Sequence, residues 1–277
     1  MKDQHEKISS EYTKALKENA NSIVKSTGGA KFAGYSDKEL SELPEDITET
    51  SFGCGNPLAF SRVQKGQTVL DLGSGAGLDL LLAAQRVGST GQVIGVDMTD
   101  EMLSKARKNI EASGYKNIVL KKGKIESLPI ESNSVDWVIS NCVINLSPEK
   151  DQVFSEISRV LKPGGKLLIS DIVAQDVPWW VRKSGVLTAA CAGGAISEQS
   201  YLQKLEQAGL VKCDVAERQH YEPSQIAYIV VENLPNLISR ISCCRKSVAH
   251  TLLTKLAKPV SRRIWSSKFY AELPAHG

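Results

Sequence analysis

Between residues 68 and 87 the chain passes from a predicted strand, through a glycine-rich turn, into a predicted helix. An apolar, β-branched run at 68–72 predicts the strand, and an apolar stretch at 78–87 predicts the helix. Between them, Gly73, Gly75 and Gly77 have the spacing G-x-G-x-G. Glycines let the backbone approach a ligand closely, and a helix N-terminus offers N–H donors. The pattern predicts a ligand-binding turn at the end of this strand.

Two acidic residues indicate which ligand suits this turn. Asp71 lies two residues before Gly73, where a carboxylate is poorly placed beside a pyrophosphate but suits a cationic amino-acid group. Asp97 ends the next predicted strand, twenty residues after Gly77, and a carboxylate there accepts hydrogen bonds from ribose hydroxyls. A ribose, a positive charge and no phosphate together describe S-adenosylmethionine, which we therefore predict as the cofactor. The alternative is a plain glycine turn beside a surface acid.

Strand-like and helical segments alternate from residue 67 to residue 173, which predicts an α/β fold. The strand-like runs are continuously apolar, as expected of a parallel sheet covered on both faces. Ser147, Thr99 and Ser197 are predicted N-caps of helices. Two further strand-like runs follow at 210–217 and 225–232.

Charge and cysteine content bound the remaining possibilities. The net charge is +3, but residues 236–277 carry eight Lys or Arg and one Glu. We interpret this basic segment as a solvated helical face; an acidic membrane or a nucleic acid is the alternative partner. The polar start and the absence of a long apolar stretch predict a cytoplasmic protein without a membrane span. None of the six cysteines forms a CxxC pair, and a disulfide framework is not expected in that compartment.

From about residue 62 to residue 231 the sequence resembles the class I S-adenosylmethionine-dependent methyltransferases. The resemblance implies a Rossmann-like sheet of seven strands, mostly parallel, with one antiparallel strand near the end. It also implies roles for residues at the ends of the strands. Those residues are Asp71, Gly73, Gly75 and Gly77 around the methionine part, Asp97 on the ribose, Met98, Ile125 and Glu126 around the adenine, and Asn141 in the methyl-transfer pocket.

Three cysteine-containing segments narrow the resemblance further. SFGCGNP at 51–57, SNCVINLSP at 140–148 and CAGGA at 191–195 together resemble the arsenite methyltransferase family. The resemblance implies that Cys54 and Cys191 bind trivalent arsenic, with Cys243 or Cys244 as a third ligand. Family members often have another cysteine before the position of Cys54, and this chain has none there.

The chemistry agrees with such a ligand set, because trivalent arsenic is soft and thiolates are soft ligands. Flanking glycines favour exposure of Cys54 and Cys191, and neighbouring basic residues favour thiolates at Cys243 and Cys244. Cysteines also serve as small buried apolar residues. That interpretation fits Cys142, at a strand end, and Cys213, within a strand-like run.

We therefore predict an enzyme that methylates arsenite or its thiol conjugates, with a thiol reductant as a partner. Two alternatives stay open: methylation of carbon or oxygen in another metabolite, and a metalloid-binding protein without turnover. A nucleic-acid substrate is not expected, because residues 1–235 are net acidic and show no base-flipping signature. A monomer is expected. The predicted organisation is an N-terminal extension (1–60), a cofactor-binding core (61–175), a substrate-side segment completing the sheet (176–235) and a basic tail (236–277).

Overall fold

A single seven-stranded sheet organises the protein. The computed structural model describes Tyr35 and residues 55–177, 194–223 and 261–275. The strands are β1 (Thr68–Leu72), β2 (Gln92–Asp97), β3 (Ile118–Lys122), β4 (Val135–Asn141), β5 (Leu161–Ala174), β6 (Val211–His220) and β7 (Ile264–Glu272). Their order is β3-β2-β1-β4-β5-β7-β6, and only β7 runs antiparallel to its neighbours. The predicted α/β class and the single antiparallel strand are confirmed.

Helices cover both faces of this sheet. They are α1 (Leu78–Val87), α2 (Asp100–Ser113), α3 (Lys150–Val160) and α4 (Glu198–Gln207), with short 3-10 turns at Pro57–Phe60 and Ile144–Leu146. Leu80 and Leu81 of α1 pack in one buried cluster, which Ile110 of α2 also contacts. Phe154 of α3 and Tyr201 of α4 belong to a second cluster. The sheet is therefore buried between two apolar layers, as its continuous apolar strands predicted.

The predicted helix caps differ in outcome. Ser197 caps α4, since its Oγ accepts a hydrogen bond from the Ser200 N–H at 3.1 Å. Thr99 holds the N-cap position of α2, but its hydroxyl donates to Asp97 instead of accepting from the helix. The prediction for Ser147 is wrong, because α3 begins at Lys150 and Glu149 is its N-cap. Ser147 donates to the Glu126 carboxylate instead, a tertiary contact that competes with capping.

The last strand of the sheet lies in the segment that we predicted to be a basic tail. The sheet is completed not within residues 176–235, as predicted, but by Ile264–Glu272. The strand is hard to predict from sequence, because Ser266, Ser267 and Lys268 are three successive polar residues, a pattern typical of the protein surface. All three are buried, and the Ser267 hydroxyl donates to Glu198 at 2.6 Å while Lys268 pairs with Glu217. The run at 225–232 and the predicted tail helix lie outside the described residues.

None of the helices within residues 55–177, 194–223 and 261–275 combines the length and the apolar composition needed to cross a bilayer.

Candidate active site

The glycine-rich turn joins β1 to α1 at the carboxyl edge of the sheet. Gly73, Gly75 and Gly77 have φ values of 67°, 53° and 95°, in the left-handed region that favours glycine. The N–H of Gly73 donates to the carbonyl of Val96 at 2.8 Å, which ties the turn to the end of β2. A Cβ on Gly73 would lie 2.5 Å from Val143 Cγ2, so no side chain fits there. The predicted turn therefore has both the backbone conformation and the packing that require glycine.

Three buried carboxylates surround this turn. Asp71, Asp79 and Asp97 are 2%, 7% and 9% exposed. Burial raises the pKa of Asp71 well above its usual range, and the negative charges of Asp79 and Asp97 raise it further. Burial and both neighbouring carboxylates thus act in the same direction on the Asp71 pKa. A site with this much negative charge favours a positively charged ligand over an anion.

Asp97 is held rigidly at the end of β2. Its Oδ1 accepts hydrogen bonds from the N–H and the hydroxyl of Thr99, both at 2.8 Å. Its Oδ2 accepts from the Gly75 N–H at 3.1 Å. A carboxylate has about four acceptor positions, so the side chain retains capacity for a ligand hydroxyl. The geometry agrees with the ribose-binding role predicted for this residue.

The residues predicted to lie around the adenine follow β2 and β3. The Gly123 N–H donates to the Asp97 carbonyl at 3.1 Å, which brings the segment after β3 beside Asp97. Met98 is half-buried, and Ile125 packs in the core with 8% exposure. Glu126 is buried and accepts a hydrogen bond from Ser147. The hydrogen bond of Gly123 thus places the start of the segment that carries Ile125 and Glu126 beside Asp97.

Asn141 ends β4 and connects two parts of the site. Its amide nitrogen donates to the carbonyl of Gly55 at 2.6 Å and to the hydroxyl of Tyr35 at 3.1 Å. The Tyr35 hydroxyl in turn donates to Asp79 Oδ1 at 2.8 Å. Burial and the Asp79 charge raise the pKa of Tyr35 well above its usual range, so the hydroxyl stays a donor at neutral pH.

Tyr35 and Asp79 are site residues that sequence reasoning missed. Asp79 lies in the first turn of α1, two residues after Gly77, and this position was an available signal. No sequence pattern marks Tyr35, because it reaches Asn141 across 106 positions of the chain.

The predicted thiol ligands Cys54, Cys191, Cys243 and Cys244 lie outside the described residues. Cys213 is free and half-buried in β6, and burial raises its pKa to about 11. A thiol with so high a pKa is a poor nucleophile and a poor ligand, as the packing interpretation predicted.

Cys142 differs from its prediction. It is 4% exposed and packs against Ile172 and Ile264, which agrees with a buried apolar role. It is also disulfide-bonded, whereas no disulfide was expected, and its partner lies outside the described residues. Cys142 has a φ of 60° at the end of β4, directly after Asn141. Sequence position showed the strand end but not the bond.

A further buried acid, Asp171 of β5, contacts the 3-10 turn that follows β4. Asp171 Oδ1 accepts hydrogen bonds from Asn145 Nδ2 at 2.7 Å and from the Ile172 N–H at 3.0 Å. The Tyr201 hydroxyl contacts Oδ2 at 3.3 Å. Burial raises the pKa of Asp171 to about 7, although these hydrogen bonds and the charge of Lys150 oppose the shift.

This pKa predicts a pH-dependent stability. In the unfolded chain Asp171 ionises near its usual pKa of 3.8, whereas the folded protein holds the proton to about pH 7. Its contribution is therefore complete below pH 3.8 and is lost as the pH rises through 7. Between pH 5 and 8 we expect wild type to lose about 2–3 kcal/mol more unfolding free energy than Asp171→Asn, at about 1.4 kcal/mol per pKa unit. Urea unfolding at both pH values measures this difference.

Asp214→Asn is the matched control for this experiment, because Asp214 is exposed on β6. The unfolding free energy of this variant should depend on pH as that of wild type does. Parallel curves for wild type and Asp171→Asn would contradict the prediction.

Comparison with known proteins places these features in context. The family profile "Methyltransferase domain" matches residues 63–209. An arsenite methyltransferase from Halobacterium salinarum is 44% identical over 189 residues, covering 68% of this chain and 48% of that protein. One from Mus musculus is 37% identical over 206 residues, covering 69% of this chain and 54% of that protein. The chain thus spans about half the length of the curated relatives that it matches.

A solved structure is similar over a larger share of both chains. It is an arsenic(III) S-adenosylmethionine methyltransferase from Chlamydomonas reinhardtii. The sequences are 30% identical, the TM-score is 0.67, and the match covers 87% of this chain and 73% of the other.

Proposed function

This chain belongs to the arsenite methyltransferase family, and on that premise we propose that it transfers a methyl group from S-adenosylmethionine to trivalent arsenic. The observation that carries the proposal is the buried acidic cluster of Asp71, Asp79 and Asp97 around the glycine turn. This cluster suits a cationic cofactor with a ribose and disfavours a phosphate-bearing one.

The residues around the turn fit the parts of the cofactor. Asp71 and the three glycines would hold its cationic amino-acid end, and Asp97 would accept hydrogen bonds from the ribose hydroxyls. Met98, Ile125 and Glu126 would lie around the adenine, and Asn141 would face the transferred methyl group. S-adenosylmethionine supplies a methyl group bonded to a positively charged sulfur. The protein's part is to orient this group and to exclude water from it.

Thiolates are proposed to present the arsenic. Cys54, Cys191 and either Cys243 or Cys244 would hold it in a pyramid that leaves the arsenic lone pair free. The lone pair would attack the methyl carbon in line, so that an arsenic–carbon bond forms as the sulfur–carbon bond breaks. The sulfonium would become a neutral thioether and its positive charge would pass to arsenic, which becomes formally pentavalent until the thiol reductant supplies two electrons. No proton is removed from the nucleophile, so the reaction needs no general base. Thiol deprotonation accompanies arsenic binding instead.

Several further features belong to the same proposal. The substrate is arsenite or its thiol conjugate, and the protein acts as a cytoplasmic monomer with a thiol reductant. The reductant would keep the arsenic-binding cysteines reduced, because arsenic binds thiolates rather than disulfides. We also propose that residues 1–60 carry substrate ligands to the cofactor-binding core, supported by the contact of Gly55 with Asn141.

The test is a turnover assay with arsenite, S-adenosylmethionine and a thiol reductant, followed by chromatographic separation of the arsenic species. Wild type is expected to yield mono- or dimethylated arsenic. Cys54→Ser and Cys191→Ser should each reduce the yield by about 100-fold or more, since even outer-sphere partners of bound metals contribute about 10–100-fold. Cofactor affinity, measured by calorimetry, should be unchanged in both variants.

Cys213→Ser is the matched control, because Cys213 is a free thiol that is not among the proposed arsenic ligands. It should retain wild-type turnover. The proposal would be contradicted if wild-type protein bound the cofactor but formed no methylated arsenic. Full turnover in both cysteine variants would instead assign the methyl group to another metabolite.

A further inference from the structure

We propose that Tyr35 is a positioning residue that holds the backbone beside Cys54 against the cofactor site. It acts through a chain of hydrogen bonds that we call the Tyr35 strut, formed by Tyr35, Asp79, Asn141 and Gly55. The strut rests on the proposed function only where it concerns arsenic, since its geometry stands without any substrate.

The first half of the strut anchors Tyr35 to the helix that follows the glycine turn. Tyr35 is 4% exposed and Asp79 is 7% exposed. The hydroxyl donates to Asp79 Oδ1 at 2.8 Å, within the range of a strong hydrogen bond. A buried carboxylate accepts from a buried hydroxyl here, so breaking the contact leaves both groups without water as a substitute.

The second half passes through Asn141. Its amide group has two hydrogens, and its two shortest contacts are with the Gly55 carbonyl at 2.6 Å and the Tyr35 hydroxyl at 3.1 Å. Asp79 Oδ2 is more distant, at 3.4 Å. Because the Tyr35 oxygen accepts from one amide hydrogen, it orients the other toward Gly55. The position of Gly55 therefore depends on a hydroxyl that it does not itself contact.

Gly55 also packs closely against the sheet, over Ser170 of β5 and Lys268 of β7. A Cβ built on it would lie 1.9 Å from Ser170 Oγ and 3.4 Å from Lys268 Cε, so its Cα rests directly on β5 and β7. Asn141 and Ser170 are register partners in neighbouring strands, which places both supports on one row of the sheet. Cys54 is joined to Gly55 by a single planar peptide bond, so a shift of Gly55 is transmitted to Cys54.

Tyr35 does not carry a step of the reaction itself. Its hydroxyl is occupied by Asp79 and Asn141, and its raised pKa keeps it protonated at neutral pH. Tyr35 therefore affects the alignment of Gly55 and the adjoining Cys54, and it does not affect proton transfer. Misplacement by about 1 Å is enough to slow an aligned reaction by on the order of 100-fold.

The test is Tyr35→Phe, which keeps the buried ring and removes only the hydroxyl. Hydrogen exchange of a peptide spanning residues 53–58 is expected to quicken by about ten-fold, the effect of one net hydrogen bond. The kcat for arsenite methylation should fall by about ten-fold or more, while the Kd for S-adenosylmethionine stays within about two-fold. A purely structural role would lower the unfolding temperature without this split between kcat and cofactor affinity.

Tyr270→Phe is the control, because Tyr270 also donates from a partly buried hydroxyl, to Glu272 on β7. It should leave the exchange of residues 53–58 and the kcat unchanged. Equal exchange in wild type and Tyr35→Phe overturns the proposal, as does a kcat equal to that of wild type. A parallel loss of cofactor affinity also overturns it, because Tyr35 would then be a cofactor contact. If wild type forms no methylated arsenic, the arsenic proposal fails, and the exchange comparison still decides whether the strut exists.

Discussion

Replacing Asp71 by Asn is expected to weaken S-adenosylmethionine binding by roughly 30- to 5,000-fold. This range corresponds to about 2–5 kcal/mol for removing one partner of a buried charge pair. Asp71 is 2% exposed, and the substitution preserves its shape while removing the charge. The remaining carboxylates Asp79 and Asp97 keep the site acidic, so some affinity should survive. Calorimetric titration measures the change.

The same titration reports the protonation of Asp71. Its pKa is raised before the cofactor binds, so Asp71 holds its proton up to a higher pH than an ordinary carboxyl does. A cationic ligand favours the ionised carboxylate and lowers this pKa, so wild type should release protons on binding. The affinity of wild type should accordingly rise with pH, whereas that of Asp71→Asn should not. Calorimetry in two buffers of different ionisation enthalpy detects the released protons.

Asp100→Asn is the control for this prediction. Asp100 is an exposed carboxylate that pairs with Lys122 at the start of α2. Its removal should leave both affinity and proton release as in wild type. Equal binding by wild type and Asp71→Asn would show that the buried acid has no part in cofactor binding.

The second large effect is expected from Gly55→Ala. The new Cβ would lie 1.9 Å from Ser170 Oγ, a separation that no pair of atoms without a bond tolerates. Rotation of the Ser170 hydroxyl would not relieve the crowding fully, because Ser170 Cβ would lie 3.0 Å from the new Cβ. We therefore expect Gly55 to move off the sheet and to lose its hydrogen bond from Asn141. We expect methylation to fall on the order of 100-fold and the unfolding free energy to drop by about 1–3 kcal/mol, as in other overpacked sites. Turnover assays and urea unfolding measure the two effects.

A second substitution makes this prediction specific. Ser170→Gly removes the atoms that clash, and the double variant Gly55→Ala/Ser170→Gly should recover most of the lost turnover. Gly114→Ala is the control for turnover, because a Cβ at Gly114 meets nothing within 4 Å while its φ of 77° strains an alanine. This variant should lose stability and keep wild-type turnover. Failure of the double variant to recover would mean that the clash with Ser170 is not the cause.

The core of the site was predictable because its signals are local. Asp71, Gly73 and Gly77 lie within seven residues of one another, and a strand, a tight turn and a helix are each determined largely by neighbouring residues. Asp97 could be added because a parallel sheet brings the ends of successive strands together. The alternation of apolar runs and helical periods likewise predicted the sheet and its layers.

The last strand of the sheet was mispredicted for the opposite reason. Ser266, Ser267 and Lys268 are buried, and Glu198 and Glu217, from elsewhere in the chain, pair with two of them. Polar residues in a strand interior look like surface until their partners are known. Charge counting therefore assigned this segment to a solvated tail.

The sequence by itself determined the fold class and the acidic, glycine-rich turn, because backbone conformation and apolar periodicity are properties of adjacent residues. Only the tertiary structure decided that Tyr35, Asp79 and Asn141 hold Gly55 beside this turn. Tyr35 and Asn141 are 106 positions apart, and Asn141 and Gly55 are 86 positions apart. Hydrogen bonds across such separations leave no periodicity or spacing in the chain, since they form only after the sheet has brought its strand ends together.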